Sequence, residues 1–75
     1  MLNYYYNFAS IETATNMCIQ VITDTQDLTG SEPEGEVYVP ITTYSEDYLC
    51  KYYDFNTGKW YYDEDMVNEW IPPEA

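Results

Sequence analysis

The stretch "KYYDFNTGKWYYD", residues 51–63, decides the fold. Two runs of β-prone aromatic residues flank Asn56-Thr57-Gly58, a sequence suited to a tight reversal, and together they predict a β-hairpin. A three-residue loop with Gly58 in the left-handed position sets Phe55 opposite Lys59, Asp54 opposite Trp60, Tyr53 opposite Tyr61 and Tyr52 opposite Tyr62. Alternation then places Tyr53, Phe55 and Tyr61 on one face, with Tyr52, Trp60 and Tyr62 on the other. Neither face is polar, and a free two-stranded ribbon is not stable in water in that form. One face is expected to cover the domain's own core and the other to meet something else, since large exposed apolar patches usually mark contacts. On this register Trp60→Ala leaves the monomer folded and abolishes assembly, whereas Gly58→Val damages folding itself.

Outward from the hairpin, "NYYYNF" at residues 3–8 predicts a first strand, "SIETATN" supplies turn residues, and "MCIQVIT" predicts a second strand. The segment "DTQDLTGSEPEGE", residues 24–36, is an acidic loop expected to be exposed and mobile. "VYVPI" is extended, and Pro40 cannot donate to a ladder, so it predicts an edge strand or one ending at Pro40. Ser45 before two acids predicts the cap of a single helical turn. The tail at residues 64–75 has room for a turn or two of helix before Pro72 and Pro73 stop it. The expectation is one domain over residues 1–75. It is mostly β, with room for a small α+β variant: a short antiparallel meander ending in a hairpin, with at most one or two helical turns.

Seventy-five residues lie near the lower limit for a self-sufficient core. Ten of them are tyrosine, whose ring buries well but whose hydroxyl wants water or a partner. The aliphatic core is therefore expected to be thin: Ile11, Ile19, Val21, Ile22, Val37, Val39, Ile41 and Leu49. Fourteen acids against two lysines give a net charge of -12. That excludes ordinary nucleic-acid binding and disfavours anionic membrane surfaces. It fits a solvated acidic surface or, more sharply, mimicry of a phosphate backbone that occupies a basic protein groove.

Catalytic chemistry finds little support. Histidine is absent, and Cys18 and Cys50 match no zinc spacing. The acids at 63–65 lack a calcium-loop pattern. No enzyme activity, cofactor or metal is expected, and reduced thiols are the default for Cys18 and Cys50, although one bridge between them is open. The opening "MLNYYYNFAS" has neither a basic n-region nor an apolar h-region, so no secretory signal is expected. No apolar run reaches the ~20 residues of a membrane helix. The candidate binding residues are Tyr52, Tyr53, Trp60, Tyr61 and Tyr62, with Tyr4, Tyr5 and Tyr6 alongside. Asp54, Asp63, Glu64 and Asp65 would steer the contact toward a basic partner.

The order Tyr38, Val39, Ile41, then Tyr44, Tyr48, Leu49, Lys51, Tyr53, Thr57, Gly58 and Trp60 resembles small modules of bacteriophage tail-fibre and tail-assembly proteins, which carry a stretch like "YLGK-x-YN-x-x-TG-x-W". The likeness spans roughly residues 16–63. Cys50 stands where those modules have glycine, and the acid-rich ending is outside the pattern. The resemblance implies a structural, adaptor or decoration protein of a phage tail or fibre, made in the host cytoplasm and located in the virion. Its partners would be other virion proteins, or itself as a homo-oligomer, with neither direct nucleic-acid contact nor a membrane. The alternative is an acidic mimic that inhibits a basic host protein, such as a defence or DNA-binding protein. A third reading is a fibre tip on which exposed rings stack against sugars.

Overall fold

The computed structural model describes residues 5–73. Among them it is mostly β, with six strands in one antiparallel sheet and a single 3₁₀ turn. The strands are β1 (Tyr6–Glu12), β2 (Met17–Asp24), β3 (Glu36–Ile41), β4 (Tyr52–Asp54), β5 (Lys59–Tyr61) and β6 (Glu69–Trp70), in the spatial order β3-β1-β2-β4-β5-β6. The turn, Glu46–Tyr48, opens as its sequence predicts: the Ser45 hydroxyl accepts a hydrogen bond from the Asp47 N–H at 3.2 Å.

The first strand lies further along the chain than its propensity suggests. Ser10, Ile11 and Glu12, expected in a turn, continue β1. Ser10 is fully buried, and its hydroxyl donates to the Glu36 carboxylate across the sheet. A polar residue can sit inside a strand once a partner 26 positions away satisfies it. Between Ser10↔Gln20 and Ile11↔Cys18 the second strand carries one extra residue, Ile19. This bulge turns Ile19 toward solvent, so an expected core residue is exposed. Leu49 is exposed as well.

Registers assign the faces. Ala9 lies between Val21 and Val39, Ile11 between Cys18 and Val37, and Trp60 between Tyr53 and Trp70. These residues share the inner face, where Ala9, Ile11, Cys18, Tyr48, Trp60 and Trp70 form one buried cluster packed by Val21, Val39, Ile41 and Tyr53. Tyr48 stands edge-on to both Trp60 and Trp70, with ring centroids 5.0 Å away in each case. The core is therefore more aromatic than aliphatic. Burial in it pushes the Cys18 thiol up to about 11, and the thiol hydrogen bonds to the Gln20 carbonyl.

The chain enters β4 through a strained reversal. Leu49 (φ -58°, ψ 137°) and Cys50 (φ 67°) form the centre of a type II turn closed by Lys51 N–H donating to the Tyr48 carbonyl at 3.1 Å. Cys50 N–H then donates to the Cys18 carbonyl, and Cys18 N–H donates to that of Lys51. Cys50 and Lys51 thus stand together opposite Cys18, a bulge whose first residue is left-handed and is ordinarily glycine. Both thiols are free, with Cys18 buried and Cys50 exposed.

Outer strand β3 offers few free donors to an added strand. Its outward N–H groups fall on even positions: Glu36 donates to the Pro33 carbonyl, Tyr38 donates to the Glu32 carboxylate, and Pro40 has no donor. Pro40 in an edge strand matches its sequence reading, and a filled edge discourages aggregation.

Candidate interaction surface

The hairpin register differs by one residue from the sequence expectation. Asp54 pairs with Lys59, Tyr53 with Trp60 and Tyr52 with Tyr61, so the loop has four residues, Phe55 to Gly58. Asp54 causes the difference. Its carboxylate accepts from the Asn56 N–H at 2.9 Å and from the Thr57 hydroxyl at 3.1 Å, and its carbonyl accepts from the Gly58 N–H at 2.8 Å. Gly58 is left-handed, as expected, with φ 75°. A slip of one residue changes which rings share a face. Tyr53 and Trp60 now lie together, centroids 4.9 Å apart, and both face inward.

Trp60 is 5% exposed and belongs to the core. Its assignment as a surface binding residue is corrected on that ground, as is the expectation that Trp60→Ala spares the fold. Tyr53 packs against the core too and meets Phe55 edge-on. Tyr52 and Tyr61 turn to the outer face, half-buried and directly paired.

Around that pair the registers chain across the whole sheet: Glu36 to Glu12, Glu12 to Met17, Met17 to Tyr52, Tyr52 to Tyr61 and Tyr61 to Glu69. Register partners share a face, so one row crosses all six strands, roughly 24 Å at about 4.8 Å per strand gap. Two tyrosines and a methionine stand at its centre, and carboxylates stand at both ends. Met17, Glu12, Glu36 and Glu69 were not expected here. Strand pairing alone brings them into line, and no local sequence pattern announces it.

The other expected residues are dispersed. Tyr4 lies outside the described residues. Tyr5 and Tyr6 are exposed and border a cleft of about 270 Å³ at the far end of β1. Tyr62 is 59% exposed, with the Lys51 ammonium 5.5 Å from its ring centroid and 4.9 Å from that of Trp70. Asp63 closes its own loop, accepting from the N–H groups of Val67 and Asn68. Glu64 and Asp65 are exposed.

The acids divide by use. Asp24, Asp27 and Asp54 each accept from the N–H two residues on, Asp63 from those further along its loop, Glu12 from Thr15, Glu32 from Tyr38 and Glu36 from Ser10. Among the described residues seven acids thus hold the protein's own donors, three of them as turn-forming Asx contacts. Among the described residues no group of three His, Cys, Asp or Glu side chains is arranged to hold a metal ion, and no helix is long and apolar enough to cross a membrane.

Compared with protein-family models the chain matches none, and searches of curated proteins and of solved structures return no match.

Proposed function

We propose that the protein acts by docking, with the outer face of its sheet centred on Tyr52 and Tyr61 as the contact. The row that crosses all six strands supports this reading most strongly. It offers amphipathic rings and a flexible methionine at the centre with acids at the rim, the chemistry of a protein interface. The occupied donors of the β3 edge favour contact through a face over strand addition on that side. The setting, a phage tail or fibre, rests on the resemblance alone. The residues that carry the resemblance have folding roles here: Tyr48, Tyr53 and Trp60 build the core, Gly58 turns the hairpin, and Lys51 holds the Asp47 carbonyl. The likeness therefore bears on architecture and leaves the partner open among virion proteins and further copies of this chain.

The net charge of -12 favours a second reading, an acidic mimic that occupies a basic host protein. Against it, Glu12, Asp24, Glu32, Glu36, Asp54 and Asp63 are tied to the protein's own donors in loops and strands.

A single experiment separates the two. Sedimentation of the purified protein, alone and with candidate virion partners, is run at about 50 mM and about 500 mM salt. A docking face predicts a complex that survives salt and is lost in the Tyr52→Ala/Tyr61→Ala variant while the 8.9 kDa monomer stays folded. A complex that dissolves steeply with salt and ignores the double substitution supports the mimic.

A further inference from the structure

The cleft at the start of β1 lies at the opposite end of that strand from Glu12 and the tyrosine row. Tyr5, Tyr6, Phe8 and Pro40 are among its lining residues, with Tyr5 and Tyr6 exposed and Phe8 buried, and Asp27 and Thr29 border it from the 24–36 loop. At about 270 Å³ it is below the usual size of a small-molecule site and suits one large side chain. The Asp27 side chain is fixed: its Oδ1 accepts from the Thr29 N–H at 3.0 Å and from the Thr29 hydroxyl at 2.6 Å. The Thr29 hydroxyl, then the Thr29 N–H, hold the carboxyl below the ordinary carboxylate range.

We infer that this cleft receives an arginine side chain from a basic partner protein. A guanidinium is planar and weakly hydrated, stacks on aromatic faces and hydrogen bonds to a carboxylate, so it matches rings and an anchored anion in one small space. The charge of the chain favours a cation over a neutral ring or an anion as occupant. The site is independent of the tyrosine row, and the two are tested separately.

The test is an amide-resolved titration of isotope-labelled full-length protein at about 150 mM salt with Nα-acetyl-arginine methylamide. The citrulline and lysine analogues serve as neutral and non-planar controls. The expected result is saturable shifts confined to the amides of residues 6–8, 27–29 and 41, weakened about tenfold with citrulline and several-fold with lysine. Asp27→Asn is the matching variant. Asparagine can keep the Thr29 turn, so the loop persists while arginine binding falls about tenfold. Equal response to citrulline overturns the proposal, as does equal response to lysine, a response spread over the whole acidic surface, or an unchanged Asp27→Asn variant. Tyr52→Ala is expected to leave the titration unaltered.

Discussion

Strands β3, β1 and β2 have 6, 7 and 8 residues, whereas β4, β5 and β6 have 3, 3 and 2. The first half of the sheet is held by long ladders, with Phe8, Ala9 and Ile11 buried along β1. The second half has too few ladder bonds to stand alone, and rings supply what the ladders lack: Trp60 touches Tyr48, Tyr53 and Trp70. Among the described residues Met17↔Tyr52 is the one register pair between the halves; backbone bonds of Cys18 with Cys50 and Lys51 and the bonds between Asn16 and Tyr53 flank it, and the cluster around Tyr48 packs across the seam. A small β domain can thus replace strand length with ring area, and its surface tyrosines then face outward from a thin second half.

Trp60→Ala is expected to do the most damage. Truncating a buried tryptophan costs about 3–5 kcal/mol, against about 4–11 kcal/mol for a whole chain of this length. A strongly lowered urea midpoint, with amide protection across residues 52–70 lost ahead of residues 6–24, is the expected outcome. An unchanged unfolding midpoint would show that ladders, not rings, hold the second half.

Gly58→Val follows at about 2 kcal/mol. An added Cβ at Gly58 meets only the Tyr53 hydroxyl, at 3.8 Å, so the cost is conformational: a β-branched residue resists φ 75°. Gly58→Asn, which tolerates that region, is expected to lose clearly less. Equal losses in the two variants, measured by denaturant midpoint, would point to packing in place of backbone conformation.

The same contrast explains what the sequence disclosed. The capped turn at Ser45, the edge proline at 40, the loop at 24–36 and the second strand at "MCIQVIT" carry local signals, and all are read from residues beside one another. The inward turn of Trp60 is different. It depends on whether the hairpin loop holds three residues or four, which the Asp54 side chain decides through bonds to Asn56 and Thr57. Sequence spacing permits both: a three-residue loop turns Trp60 outward, and the four-residue loop turns it into the core. Likewise the burial of Ser10 depends on Glu36, and the tyrosine row depends on five separate registers. Long-range pairings of this kind leave no local trace.

Cys50→Gly, at the seam between the halves, is expected to have the smallest effect. A non-glycine residue in the left-handed region costs about 1–2 kcal/mol. Glycine removes that cost but adds about 0.5–1 kcal/mol of unfolded-state entropy. The Cys50 side chain is exposed, so little packing is lost with it. The net expectation is a gain of up to about 1 kcal/mol, seen as a higher urea midpoint with an unchanged slope. Since the Cys18–Cys50–Lys51 bulge ties β2 to β4, the gain should raise amide protection on both sides of the seam. A gain confined to residues 52–70 would mean that the halves open independently, and a loss of stability would mean that the thiol makes contacts that offset the strain of its backbone.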